Sequence, residues 1–134
     1  ILQDNVEACR ARLFEIWDAQ YTAACKQEVN EDCRTAVRYI LARNILCGNA
    51  LSLKQVDAAQ QDLPEPIIFS EWAFVTGTLL KRRDFRLDEL LNDNASQPTL
   101  LTTGWEYDEE TKAFIPSPVR EFPPTDYRKV QDAE

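Results

Sequence analysis

Hydrophobic and polar residues alternate along the first fifty positions with the period of an α-helix. From Asp4 to Gln27, apolar side chains recur every three or four residues on one broad face, and charged side chains lie mostly opposite. The segment from Glu31 to Asn49 has the same period, begins with acidic residues and reaches a glycine stop at Gly48. With the polar loop KQEVNED between them, these segments predict an antiparallel α-hairpin.

Further helices are predicted after the glycine stop. Ser52 with Gln55 forms a capping box, which starts a helix that must end before Pro64. Residues 67–80 suit a strand by their β-branched and aromatic content and a helix by their spacing, and we adopt the helix. The segment DFRLDELLND predicts one more short helix.

The C-terminal part of the chain has a different pattern. Two short extended runs, Trp105 to Tyr107 and Ala113 to Ile115, flank a polar turn and predict a β-hairpin. Four prolines from Pro116 onward exclude regular structure, so residues 116–134 are predicted to be an extended or disordered strap. Residues 1–115 are then one helical domain that ends in the hairpin.

Four cysteines lie on the predicted α-hairpin. In such a hairpin the residues nearest the turn face each other, and so do those farthest from it, which predicts the disulfides Cys25–Cys33 and Cys9–Cys47. The two intervening helix segments are nearly equal, at about sixteen and fourteen residues, so the register closes at both ends. Free buried thiols are the alternative, and a zinc or redox site is disfavoured because no C-x-x-C motif is present. The predicted fold class is therefore mainly α, a disulfide-braced antiparallel α-hairpin with one to three further helices, a small C-terminal β-hairpin and an extended Pro-rich strap.

Two partial resemblances concern architecture. Residues 9–47, as a paired-cysteine α-hairpin, resemble the twin-cysteine helix-coil-helix proteins of the mitochondrial intermembrane space, with seven residues between the inner cysteines where nine are commonest. The segments CRARLFEIWDAQY and GWEYDEETKAF are similar to the helix and the closing hairpin of type IV pilin-like proteins, without the apolar N-terminal pilin helix. We assign the chain to neither family. The paired cysteines predict an oxidising compartment, which includes the periplasm, the cell exterior, the secretory lumen and the intermembrane space.

Composition and charge narrow the classes of function. The net charge of −8 over 134 residues disfavours nucleic acid as a partner. The basic run Lys81-Arg82-Arg83 is followed by acidic residues, which is typical of a solvated helix end. No stretch approaches the roughly 18 uncharged apolar residues of a membrane span, so none is predicted.

Most catalytic chemistry has no candidate residues in this chain. The absence of histidine excludes Ser-His-Asp and histidine-metal mechanisms, and three glycines form no phosphate-binding loop. No catalytic residue, cofactor or metal site is therefore predicted. A carboxylate pair is still possible among the 23 acidic residues, although Asp88-Glu89 and Asp108-Glu109-Glu110 are more typical of a surface.

Aromatic residues concentrate near the C-terminus, where proline-rich backbone cannot form its own core. They either pack onto the helices or form an interface for a partner: Trp105, Tyr107, Phe114, Phe122 and Tyr127. We expect a non-enzymatic structural or interaction protein, an extracytosolic subunit of a larger assembly that docks onto protein partners through this region. The alternatives are a pilin-like or secretion-associated subunit, a small carboxylate hydrolase or enzyme inhibitor, and a carrier of an apolar ligand.

Overall fold

Two N-terminal helices pack against each other, and the second of them also packs against antiparallel β-structure. The computed structural model describes residues 2–91, 105–110 and 113–133. Its helices are α1 (Gln3–Cys25), α2 (Glu31–Asn44) and α3 (Leu87–Leu91), with 3-10 helices at Lys26–Glu28 and Tyr127–Asp132. Its strands are β1 (Lys54–Val56), β2 (Asp62–Pro66), β3 (Ile68–Thr76), β4 (Leu79–Arg86), β5 (Trp105–Asp108), β6 (Ala113–Pro116), β7 (Arg120–Glu121) and β8 (Thr125–Asp126). The fold is mixed α and β, so the predicted mainly α class is wrong.

The two predicted N-terminal helices are confirmed. Asn30 caps α2, because its Oδ1 accepts a hydrogen bond from the Asp32 N–H at 2.7 Å. At the other end α2 stops at Asn44, before the predicted glycine stop. There Arg10 of α1 donates from Nε to the Ile45 carbonyl at 2.9 Å, so a cation from the neighbouring helix binds the free end of α2.

The predicted disulfides are wrong, because Cys9, Cys25, Cys33 and Cys47 form no disulfide with one another. Cys9 is exposed on α1, and Cys47 follows the end of α2, so the helical register does not bring the two together. Cys33 is buried beside Tyr21. Nearly equal helix lengths are compatible with many hairpins, whereas a disulfide also needs converging Cβ atoms. The prediction of an oxidising compartment depended on these pairs and is corrected with them, since free thiols do not support it.

The predicted third helix is also wrong, since β1 and β2 form an antiparallel hairpin there. Asp57 closes the turn between them. Its Oδ1 accepts hydrogen bonds from the backbone N–H groups of Ala59 and Gln61, at 2.8 and 2.9 Å. A short acidic side chain that binds nearby backbone N–H groups stabilises a turn, and this local bonding prevails over the capping box of Ser52 and Gln55.

Residues 67–80 form strand and turn rather than the helix that we adopted. β3 pairs antiparallel with β4, in a register that runs from Ile68 opposite Arg86 to Thr76 opposite Leu79. Gly77 lies in the turn with a positive φ of 52°, a conformation that suits glycine. The β-branched and aromatic content was the correct signal. The following short helix is only Leu87–Leu91, because the residues before it complete β4.

The C-terminal part of the chain contains the predicted β-hairpin, formed by β5 and β6. The strap beyond it belongs to the main sheet, because β7 and β8 both pair with β4. Further backbone bonds attach it, among them Val119 N–H to the Asp84 carbonyl at 2.8 Å and Phe122 N–H to the Arg82 carbonyl at 3.0 Å. Residues 116–133 are thus integral to the fold.

The core lies between α2, β4 and the C-terminal 3-10 helix. One residue from each of these elements is buried there, namely Ala36, Leu80 and Val130. We call the face of the β3–β4 sheet that carries Ser70 and Arg82 the inner face, and the opposite one the outer face. Because side chains alternate along a strand, each strand contributes to both faces.

Candidate interaction surface

The inner face of the sheet carries a buried network of charged and polar side chains. Arg82 and Asp84 are each only 4% exposed, although both are charged. Arg82 donates from Nε to Asp84 Oδ1 and from Nη2 to Asp84 Oδ2, both at 2.8 Å. Ser70 Oγ donates to the same carboxylate at 2.7 Å, and Arg43 Nη2 does so at 3.3 Å. We call Ser70, Arg82 and Asp84, with Tyr39 and Arg43 of α2, the arginine cluster.

Aromatic rings surround the guanidinium of Arg82. Its Cζ atom lies 4.1 Å from the ring centroid of Phe122 and 5.7 Å from those of Tyr39 and Trp72. Arg82 Nη1 also donates to the Tyr39 hydroxyl at 2.7 Å. Cation–π contacts and a bidentate carboxylate are the strongest partners available to a buried guanidinium. The arginine cluster therefore connects α2, the sheet and the strap.

The pKa values of the arginine cluster favour its charged form. Burial alone raises the pKa of Asp84, but the hydrogen bonds from Arg82 and Ser70 outweigh it and hold that pKa below its ordinary value. Burial likewise lowers the pKa of Arg82, but Asp84 outweighs it and raises that pKa. Both groups stay ionised near neutral pH, so the arginine cluster is suited to holding the fold together rather than to transferring protons.

The sequence indicated Arg82 only as part of a basic run, which we assigned to a solvated helix end. The structure places it in β4, where Leu80, Arg82 and Asp84 face inward while Lys81 and Arg83 face outward. The period-two alternation in LLKRRDFR is the signal that could have identified a strand with an inward ion pair. Inward positions of a strand are usually apolar, however, so the charged Arg82 and Asp84 do not fit the usual pattern.

The predicted aromatic interface falls on residues with different environments. Phe122 is buried under the arginine cluster, and Tyr127 is half-buried. The side chains of Trp105, Tyr107 and Phe114 lie outside the described residues. The aromatic interface stays a prediction. Phe122 packs inside the fold, and Tyr127 is the described member of the set that reaches the surface.

Tyr127 contacts an exposed apolar patch at the tip of the β3–β4 hairpin. Phe74 is 67% exposed and Val75 is 55% exposed, and Leu79 begins the return strand beside them. The rings of Phe74 and Tyr127 meet edge to face with centroids 6.4 Å apart. We call Phe74, Val75, Leu79 and Tyr127 the hairpin-tip patch. It brings one residue of the predicted interface together with residues that the sequence did not indicate.

The hairpin-tip patch is attached to the strap by polar contacts. The Tyr127 N–H donates to the Thr78 carbonyl at 2.9 Å, and Thr78 Oγ1 donates to Asp126 Oδ2 at 3.1 Å. Arg128 in turn donates to both oxygens of Asp126, and this bond chiefly holds the pKa of Asp126 well below its ordinary value. The hairpin tip is therefore fixed in position, which reduces the entropy that binding would cost.

A second apolar feature is a groove on the outer face. It encloses about 410 Å³ between Phe69, Phe85, Leu90 and Pro116. The rings of Phe69 and Phe85, which are cross-strand neighbours, have centroids 6.2 Å apart. The ion pair of Arg83 with Glu71 borders the groove, with Nη2 to Oε2 at 2.6 Å.

The described part of the chain offers no group of three or more acidic or cysteine side chains positioned to hold a metal ion. Within the same residues, no helix has the length and apolar character needed to cross a bilayer. The comparisons place the chain in no family, because no family model, no curated protein and no solved structure matches it.

Proposed function

We propose that this protein is a non-enzymatic interaction module that docks onto a protein partner through the hairpin-tip patch. The observation that carries the proposal is the exposure of Phe74 and Val75 on a hairpin that the strap holds in place. A folded chain gains nothing from holding a large aromatic ring in water, whereas aromatic anchors dominate the energetics of protein interfaces.

The distribution of polar groups supports the same proposal. Among the described residues, the buried charged groups Arg82 and Asp84 pair with each other within the arginine cluster. They belong to the strand that returns from the patch and, at 4% exposure each, are shielded from solvent. Within the hairpin-tip patch, apolar side chains from two adjacent strands lie next to the half-buried ring of Tyr127. An apolar centre with polar groups around it is the ordinary anatomy of a docking site.

The test uses a matched pair of variants. The chain is purified by affinity from its native source as wild type, as F74S/V75S and as L51S. Leu51 is 96% exposed, so L51S removes an even more accessible apolar side chain elsewhere on the surface. We expect F74S/V75S to lose the partners that wild type retains, because truncation of interface anchors typically costs about 2 kcal/mol or more each.

L51S should retain those partners. Equal recovery from F74S/V75S and wild type would contradict the proposal, and so would an equal loss from both variants. Removal of the whole strap is not a suitable test, because the strap contributes β7, β8 and the buried residues Phe122 and Val130. Circular dichroism of each variant checks that the fold is intact.

The outer-face groove supports a second candidate, a carrier of a small apolar ligand. Its volume is within the range of small-molecule sites, and Phe69 and Phe85 supply an aromatic wall. Native mass spectrometry of the chain purified under mild conditions tests this candidate. A bound small molecule that adds mass to wild type but not to F69S would support this candidate. A native mass equal to that of the chain alone would count against it.

A further inference from the structure

The strap contains a cavity that joins a cationic rim to an apolar floor. It encloses about 380 Å³, with Arg120 and Lys129 on its rim and with Phe122 and Pro123 also in its lining. Asp132 is the acidic residue that lines it. We call this the strap cavity. It lies on the same chain segment as Tyr127 of the hairpin-tip patch.

The two cations of the strap cavity stand apart from the ion pairs of the described residues. Within the described residues, no ion pair involves Arg120 or Lys129. Most arginines of the described chain do form such pairs, for example Arg34 with Asp18 at 2.6 Å and Arg128 with Asp126 at 2.8 Å. In a chain of net charge −8, two such cations at one cavity are a local reversal of sign.

The apolar floor holds one of these cations in position. The guanidinium Cζ of Arg120 lies 4.5 Å from the ring centroid of Phe122, which is itself buried against Arg82. This cation–π contact orients Arg120 and leaves its N–H groups available to a ligand. An arginine fork matches the two oxygens of a carboxylate, and Lys129 adds a second positive charge.

The remaining charges limit what the strap cavity can accept. A polyanion such as nucleic acid or an anionic membrane would meet the net negative charge of the chain. Asp132 on the lining also opposes a dianionic group such as phosphate. A single carboxylate on a side chain, next to an apolar residue that covers Phe122 and Pro123, satisfies each of these conditions.

We propose that the strap cavity binds an acidic side chain of the partner protein, an aspartate or glutamate beside an apolar residue. This inference rests on the proposed docking function, because it names the chemistry of the partner segment that lies beside the hairpin-tip patch. It also assigns complementary roles, since the apolar patch supplies affinity and the strap cavity supplies charge selectivity.

The test is a nuclear magnetic resonance titration of the full chain labelled with ¹⁵N. The probes are two capped peptides, Ala-Ala-Leu-Glu-Ala, which carries one carboxylate beside an apolar residue, and its amide counterpart Ala-Ala-Leu-Gln-Ala. We expect the acidic peptide to shift amide resonances within residues 120–133, and the amide peptide to leave them unchanged. In R120Q/K129Q the affinity for the acidic peptide should fall about tenfold, as loss of a charged contact worth about 1.4 kcal/mol requires.

The control K26Q removes an exposed lysine at the end of α1 and should bind as wild type does. Equal shifts from both peptides would overturn the proposal, and so would an affinity of R120Q/K129Q within twofold of wild type or the absence of shifts in residues 120–133. K129Q alone, which leaves the Arg120–Phe122 contact in place, must show part of the loss.

Partner recovery separates this inference from the docking proposal. If R120Q/K129Q retains the partners that F74S/V75S loses, the strap cavity has no role and the docking function still holds. If both variants retain them, both proposals fail.

Discussion

Replacement of Asp84 by asparagine should destabilise the protein strongly. The substitution keeps the size of the side chain but removes the negative charge that pairs with Arg82 at 2.8 Å. Both side chains are at most 5% exposed, so the guanidinium would be left in the interior without a counterion and near the second cation, Arg43. Breaking a buried pair by removing one partner costs about 3–5 kcal/mol.

The chain provides a matched control in a second Arg–Asp pair of the same spacing. Arg86 donates to Asp88 from Nη2 at 2.7 Å and from Nε at 3.1 Å, much as Arg82 does to Asp84. These two side chains, however, are 37% and 31% exposed. Solvent screens such a pair, so D88N should cost less than about 1 kcal/mol.

Urea unfolding followed by circular dichroism measures both variants. With a slope of about 2 kcal/mol per molar urea, D84N should lower the unfolding midpoint by about 2 M and D88N by less than about 0.5 M. The double variant R82M/D84L, which removes both buried charges, should be more stable than D84N. A D84N protein within about 0.5 M of D88N would refute the structural role given to the arginine cluster.

Three further outcomes follow from the structure. The pKa of Asp84 is lowered in the fold, so its contribution to the free energy of unfolding is present above the ordinary aspartate pKa and is lost as the pH falls. Urea unfolding measured at decreasing pH should show this loss of stability in wild type. The loss should be smaller in D84N. A Cβ on Gly48 would lie 2.5 Å from Ile67 Cδ1 and 2.9 Å from the Lys54 carbonyl, so G48A should cost about 1–3 kcal/mol in urea unfolding. Titration of the denatured, unreduced protein with a thiol reagent should count four free cysteines, and a count of zero would restore the two disulfides.

The α-hairpin could be predicted because its signals are local. The helical period of apolar residues, the asparagine cap of α2 and the acidic first turn all lie within a few residues of the element that they specify. The C-terminal β-hairpin was predictable for the same reason, since two short extended runs flank a polar turn.

The sheet could not be predicted with the same rules. Residues 67–80 carry apolar side chains at both strand and helix spacings, and only pairing with β4 and the strap decides between them. Arg82 is stabilised at its inward position by Tyr39 and Phe122, which lie 43 and 40 residues away in the sequence. The reason for its burial is therefore not contained in the neighbouring sequence.

The sequence indicated only part of the hairpin-tip patch. Tyr127 belonged to the predicted aromatic interface, but Phe74 and Val75 were assigned to a helix and their exposure depends on the turn at Gly77.

The cysteine prediction failed for a geometric reason. The register was plausible, but α2 ends before Cys47 and the Cys9 side chain faces solvent. The hydrolase and inhibitor alternatives stay predictions.

Site-specific photo-crosslinking measures the docking surface most directly. A photoreactive phenylalanine analogue is placed at Phe74 in one chain and at Leu51 in another, both exposed apolar positions. After irradiation in the native source, the chain labelled at position 74 should form one discrete crosslinked species with a partner protein, and the chain labelled at position 51 should not. Crosslinking from position 51 alone, or equal crosslinking from both positions, would contradict docking through the hairpin-tip patch.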